Sequence, residues 1–218
     1  MLVPRCLLCG ERGANGRDLC ANCRDSLPWN ATACIQCAIP LPHPGTCGAC
    51  LQSPPPLAAT RAAFVYGFPL DRLVPRFKFH HDLAAGRLLA ELMAEGLANA
   101  DRPEALVPVP LHAARLRRRG YDQAVELSKG LARALDIPLL TDALSRTRDT
   151  APQSELDATA RQRNLKNAFA VPDPTALPGH VVLIDDVMTT GATLHTAAKT
   201  LRKAGVSRVD AWVCARVQ

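Results

Sequence analysis

Asp185 and Asp186 stand side by side in the stretch VVLIDDVMTTGATL, Val181 to Leu194, directly ahead of Thr189-Thr190-Gly191-Ala192-Thr193. The four apolar residues Val181 to Ile184 read as a strand buried in a sheet, and the threonine and glycine run reads as a tight turn opening a helix. Ligands of an open α/β sheet bind beyond the carboxyl ends of its strands, which is where Asp185 to Thr193 would emerge. Backbone N–H groups of Thr189 to Thr193, the threonine hydroxyls and the positive end of the following helix make an anion cradle. Carboxylates repel phosphate, so the two aspartates call for a neighbour rich in hydroxyls or for a divalent cation. A sugar phosphate meets both demands: its 5-phosphate occupies the turn while its ribose hydroxyls, with or without Mg2+, meet the carboxylates.

A second chemistry is written at the other end of the chain. Eight of the nine cysteines form four Cys-x-x-Cys pairs, Cys6/Cys9, Cys20/Cys23, Cys34/Cys37 and Cys47/Cys50. A pair two residues apart in a turn presents both sulfurs to one point, and two pairs complete a tetrahedral tetrathiolate shell, so eight thiolates suggest two zinc ions. Sequential pairing gives two stacked ribbons and interleaved pairing a cross-braced module; the sequence does not decide between them, and the sequential one is expected. Disulfides are the rival, but they persist mainly in oxidising compartments, and nothing in the sequence directs export. Four thiolates close the coordination sphere, so such a module is structural or a docking surface rather than catalytic. Some 50 residues this poor in large apolar side chains draw much of their folding free energy from the metal. Cys214, alone on a late apolar strand, reads as a small buried side chain.

The elements that position these groups follow from the rest of the pattern. With 218 residues, 48% hydrophobic content and a mean hydropathy near zero, the chain has room for one good core and a small appendage. No stretch approaches the roughly 20 apolar residues of a membrane span, and Met1 to Cys6 begins no signal peptide, so no membrane insertion and a cytoplasmic location are expected. Residues 1–52 read as a double zinc ribbon, Gln52-Ser53-Pro54-Pro55-Pro56 as a stiff connector, and 57–218 as one α/β domain. Within it we expect strands at Thr60 to Phe68, Ala105 to Pro110, Ile137 to Leu140, Val181 to Ile184 and Val209 to Cys214. Helices are expected at Leu83 to Ala98, after a cap at Asp122, and at Thr193 to Ala204, with a short helical or irregular piece at Leu70 to Phe79. Strand, helix and strand with one crossover imply parallel pairing. The formal charge is +6, and residues 112–166 hold eleven Lys/Arg against seven Asp/Glu, so the excess is concentrated where an anionic ligand or a nucleic-acid backbone would use it.

The run from Val181 to Thr193 resembles the phosphoribosyl pyrophosphate signature of type I phosphoribosyltransferases. Val107-Pro108-Val109-Pro110-Leu111, Arg119-Gly120-Tyr121-Asp122-Gln123, then Gln153, Arg161, Asn164 and Phe169 resemble, in that order, the ComF/GntX group of phosphoribosyltransferase-like proteins, whose members also carry a cysteine-rich amino-terminal zinc module. Asp122 stands where that family usually has Asn, and Ala38 follows Cys37 where such knuckles often have Gly. The resemblance implies that Asp185 and Asp186 take the ribose hydroxyls and that Thr189, Thr190, Gly191, Ala192 and Thr193 hold the 5-phosphate. It implies that Pro108, Val109, Pro110 and Leu111 form a pyrophosphate loop with exposed backbone N–H groups. It also implies that a long loop carrying Gln153, Arg161 and Arg163 closes over the site, with Arg161 and Mg2+ assisting a departing pyrophosphate. Phe64, Phe77, Phe79, His80 and His81 are the candidates for an acceptor pocket. The family reading implies handling of incoming single-stranded DNA in natural competence, alongside other competence proteins. The rival is a nucleotide-salvage enzyme that transfers ribose 5-phosphate to a free base. Nine aromatic residues in the chain do not indicate extensive base stacking, and Arg115 to Arg119 is the clear backbone-contacting stretch.

Overall fold

A computed structural model describes residues 3–147 and 168–218. Its strands in chain order are β1 (Thr60–Val65), β2 (Ala105–Pro108), the short antiparallel pair β3 (Ser145–Arg146) and β4 (Phe169–Ala170), β5 (His180–Met188) and β6 (Arg208–Arg216). The four longer strands form one parallel sheet in the order β1-β6-β5-β2. The helices are α1 (Ala21–Asp25), α2 (Gly48–Gln52), α3 (Leu70–Phe79), α4 (Leu83–Gly96), α5 (Ala113–Arg119), α6 (Gln123–Leu135) and α7 (Ala192–Lys203).

A parallel sheet covered on both faces reads as an unbroken apolar run, and β5 supplies one. Val182 and Ile184 face the core built with α3, α4 and α6, while Val181 and Leu183 face the core built with α7. Strand β6 divides likewise, with Trp212 and Cys214 on the first side and Val209, Ala211 and Val213 on the second. Cys214 is fully buried, as its setting in the sequence implied. Helix α3 spans Pro75 because Leu70, Leu73, Val74 and Phe77 recur at helical spacing and are all buried, which offsets the hydrogen bond that proline removes.

Strand lengths depart from the sequence expectation, and in each case the partner explains why. β5 continues through Asp185 and Asp186 to Met188 because β6 runs beside it as far as Arg216. β1 stops at Val65, its pairing with Arg216 being the last available, and β2 stops at Pro108 opposite Ile184. Ile137 to Leu140 is not a strand: Pro138 has no N–H to donate, and a single bridge between Leu106 and Leu139 forms, closed by Leu106 N–H to Pro138 O at 2.8 Å and Leu140 N–H to Leu106 O at 2.9 Å.

The cysteine-rich segment lies along the outer side of β1. Asn30 N–H donates to Ala63 O at 2.9 Å, Val65 N–H to Pro28 O at 2.8 Å, and Trp29 packs on Phe64 with ring centroids 4.6 Å apart. Arg17 and Arg24 both pair with Glu95 of α4. An edge that would otherwise expose a row of backbone donors and acceptors is thereby covered. Among the described residues no helix is long and apolar enough to cross a membrane.

Candidate functional site

At the carboxyl ends of β2 and β5 lies a cleft of about 520 Å3. Five cations line it, Lys78 of α3, Arg115, Arg118 and Arg119 of α5, and Arg146 of β3, together with three carboxylates, Asp122, Asp185 and Asp186. Thr189 and Thr193 also line the wall, as do Val109, Pro110 and Leu111. Residues 60 and more apart in sequence therefore meet around one opening, as expected of a switch between strand ends in an α/β sheet.

The acid pair is held by the strand itself. Asp185 Oδ1 accepts from Asp186 N–H at 2.8 Å, and Asp186 Oδ1 accepts from Val187 N–H at 2.7 Å. Asp186 is 7% exposed, and Lys78 Nζ reaches both its oxygens, at 3.1 Å and 2.8 Å. Burial pushes the Asp185 carboxyl up to about 7, the negative charge of Asp186 adds to this, and Lys78 opposes it. Lys78 moves the other way: burial disfavours its charge, but Asp186 and Asp185 outweigh that and hold it protonated. The raised Asp185 value carries a sign for stability. A carboxyl that titrates higher in the folded state contributes stability below the ordinary carboxylate range, and that contribution is lost as pH rises through about 7. Asp185→Asn is therefore expected to stabilise the ligand-free protein by on the order of 1 kcal/mol at pH 8 and by less at pH 5, so that its melting temperature rises more at the higher pH. Thermal unfolding at the two values checks this, and an equal shift at both would refute it.

In the threonine turn, Gly191 has φ +77°, the left-handed region that glycine reaches at no steric cost. A Cβ there would also stand 2.5 Å from Met188 Cε and 2.9 Å from His195 Nε2, ends of side chains that would have to shift. Thr190 Oγ1 accepts from Ala192 N–H at 3.4 Å. The structure thus brings Thr189 and Thr193 to the cleft, while Thr190, Gly191 and Ala192 shape the turn behind them.

The loop after β2 differs from expectation. Pro108 and Pro110 have no N–H, Val109 N–H donates to Ile184 O at 2.9 Å, and Leu111 N–H donates to Asp122 Oδ2 at 2.7 Å. Every backbone donor from Pro108 to Leu111 is thus absent or engaged, so the segment presents a wall rather than free N–H groups. Asp122 is what engages Leu111; its other oxygen caps α6 through Ala124 N–H at 2.9 Å and Val125 N–H at 3.3 Å. Burial nevertheless raises its carboxyl above the usual range. A carboxylate here, where an amide was the family habit, ties loop to helix by acceptance alone.

Positive charge comes instead from α5. Arg115, Arg118 and Arg119 follow helical spacing and share the cleft side, whereas Arg117 does not line it. Arg119 donates to Gln123 Oε1 at 2.9 Å and lies over the Phe79 ring at 5.3 Å. Of the aromatic and histidine candidates, Phe79 lines the cleft, Phe64 and Phe77 are core residues, and His80 and His81 are exposed away from it. Arg161, with Gln153, Arg163 and Asn164, lies outside the described residues.

The cysteines gather sequentially. Cys6, Cys9, Cys20 and Cys23 form one group and Cys34, Cys37, Cys47 and Cys50 another, with the sulfurs of each within 4.8 Å of one another. Cys23 N–H donates to Cys20 Sγ at 3.4 Å and Cys47 N–H to Cys34 Sγ at 3.3 Å. Two such four-sulfur sets fit two structural zinc ions. The turn after Cys37 is as tight as the one after Cys9: Ala38 takes φ +55° where Gly10 takes φ +79°, and its fully buried methyl helps to hold the less favoured conformation.

Residues 1–51 match the double zinc ribbon domain and residues 121–217 the phosphoribosyl transferase domain. Over 97% of this chain and 96% of its own length, Competence protein F of Haemophilus influenzae is 38% identical. The chain belongs to the ComF/GntX family. DNA utilization protein YhgH of Escherichia coli K12 is 36% identical over 97% of this chain and 96% of its length, and Competence protein ComFC of Streptococcus pneumoniae 28% identical over 72% and 67%. For this ComF/GntX chain, sequence reasoning overlooked Lys78 and Arg146. Lys78 meets its carboxylate across 108 residues, and nothing local distinguishes it from any other lysine.

Proposed function

We propose that the cleft binds phosphoribosyl pyrophosphate. One observation carries this reading: a strand-end acid pair and a glycine-dependent threonine turn open into the same cleft as three arginines from one helix face. In this reading Asp185 and Asp186 accept the ribose hydroxyls and the turn from Thr189 to Thr193 takes the 5-phosphate. Pro108 to Leu111 wall the pyrophosphate, whose charge Arg115, Arg118 and Arg119 neutralise, and Arg161 belongs to the segment expected to close over it. Among the described residues no third Asp, Glu, His or Cys ligand joins Asp185 and Asp186, so those residues make no cage for magnesium. An ion carried by the pyrophosphate oxygens, keeping most of its waters, would suit the cleft better than one held by protein. Calorimetry of the zinc-loaded protein is expected to show uptake of phosphoribosyl pyrophosphate, with weaker uptake of ribose 5-phosphate and of pyrophosphate alone. No heat with any of the three would overturn the reading.

The competence and DNA-utilization names of the relatives support a role with DNA; in this reading the chain handles single-stranded DNA in the cytoplasm, with other competence proteins. Two of the exposed arginines of α5, Arg117 outside the cleft and Arg118 at it, would supply phosphate contacts. Binding of an oligonucleotide is expected to fall steeply with salt, with a slope shallower by about 0.7 for each arginine replaced by alanine. Salt-independent binding would discard this role. The exposed Phe79 ring under Arg119 favours a second reading, a salvage transferase whose acceptor base stacks there. Pyrophosphate release with one of a panel of free bases would select it.

A further inference from the structure

We infer that Lys78 is the resident cation of the acid pair, so that ribose hydroxyls meet these carboxylates with no divalent ion bound to them; the sugar part of this rests on the sugar-phosphate reading above. Lys78 Nζ bridges both oxygens of Asp186, at 2.8 Å and 3.1 Å, in a setting where Asp186 is 7% exposed. Asp186 Oδ1 is further engaged by Val187 N–H and Asp185 Oδ1 by Asp186 N–H. An ionised carboxylate has about four lone-pair positions, so Oδ2 of each acid keeps room for a hydroxyl. A magnesium ion is less well placed, because it would stand beside an ammonium of like charge that already meets both oxygens of Asp186. Nor do other ligands gather there among the described residues, Asp122 being committed to Leu111 and to the start of α6.

The ammonium does part of a metal's work: it offsets the charge of Asp186 in an adjacent carboxylate pair that would otherwise repel itself and any incoming phosphate. It also fixes the orientation of the Asp186 carboxylate, which makes it a positioning residue.

Manganese titration followed by electron paramagnetic resonance tests this without any sugar ligand. Zinc-loaded wild-type protein is expected to bind no Mn2+ at the cleft. Lys78→Met is expected to gain one Mn2+ site, which Lys78→Met/Asp186→Asn loses again. The double variant removes both charges, so it keeps the fold where the single variant leaves a buried charge unpaired. Calorimetry with ribose 5-phosphate is the second arm. Wild-type affinity should not change on adding magnesium, whereas Lys78→Met should lose about tenfold without magnesium, as one lost charge-assisted contact predicts, and recover with it. Lys78→Arg should show intermediate affinity and no Mn2+ site. A wild-type Mn2+ site that disappears in Asp186→Asn overturns the inference, as does a Lys78→Met protein that gains no site and binds sugar unchanged. If the Mn2+ pattern holds while no variant binds ribose 5-phosphate, Lys78 remains the resident cation and the sugar-phosphate reading is what falls.

Discussion

Asp185→Asn/Asp186→Asn is expected to bind phosphoribosyl pyrophosphate at least about a hundredfold more weakly than the wild type while keeping both zinc ions. Asparagine preserves the size of each side chain and its carbonyl acceptor, so the N–H bonds of Asp186 and Val187 survive. What disappears is the charge that strengthens a hydroxyl's hydrogen bond. Such bonds contribute about 1.5–3 kcal/mol each, and two of them correspond to roughly 10²–10⁴ in affinity. The loss should fall on the sugar and not on the pyrophosphate, whose partners in this reading are the arginines of α5. Calorimetry with phosphoribosyl pyrophosphate and with pyrophosphate alone separates the two: the first affinity should collapse and the second should not. A double variant that binds the full ligand normally would remove the acid pair from the site. Lys78 loses its counter-charge in this protein, so the measurement belongs below the melting temperature of the variant, with zinc content as the check on folding.

Removing zinc should have the largest effect on the protein as a whole. Apparent binding free energies of about 10–16 kcal/mol for a structural zinc at neutral pH exceed what a segment this small recovers by burial. Its buried apolar side chains include little beyond Leu19, Leu27, Ala38 and the ligand cysteines. A strong chelator is therefore expected to unfold the ribbons. The consequence reaches the sheet, because Pro28, Trp29 and Asn30 cover the edge of β1. Trp29 should leave Phe64, its emission should shift to the red, and the uncovered strand should promote aggregation, read as rising light scattering. Trp29→Phe removes most of the fluorescence change and assigns it. The site should feel the loss as well: Arg216 donates both to Cys37 O at 2.9 Å and to Met188 O at 3.3 Å, one residue before the threonine turn. Metal loss established by elemental analysis, with Trp29 emission and scattering unchanged, would refute this account.

Much of the site was legible in the letters because its parts are short and contiguous. Asp185, Asp186 and the turn through Gly191 lie within a few residues, so strand, acids and helix start fix their relation with little help from elsewhere. Each Cys-x-x-Cys pair is likewise a local device, although pairing between pairs became definite only with the fold. Asp122 was recognised as a cap from its place ahead of an amphipathic run; that its second oxygen closes the loop at Leu111 was not, since that contact depends on where β2 ends. Helix α5 offered four arginines in a row of five residues, and which of them line the cleft was decided by how the helix is set against the strand ends.

The sequence by itself determined the chemistry of each local device: a carboxylate couple before a threonine and glycine turn, four pairs of thiols, and a basic helix. Only the tertiary structure decided their company. It extended β5 through the acids because β6 continues beside them, reduced Ile137 to Leu140 to a single bridge at a proline, and used up the backbone donors of Pro108 to Leu111. Above all it brought Lys78 to Asp186. Local spacing is encoded by bond geometry and periodicity, which a reader can follow along the chain, whereas a contact between residues 108 apart exists only once parallel strands and the helices over them have set the distance.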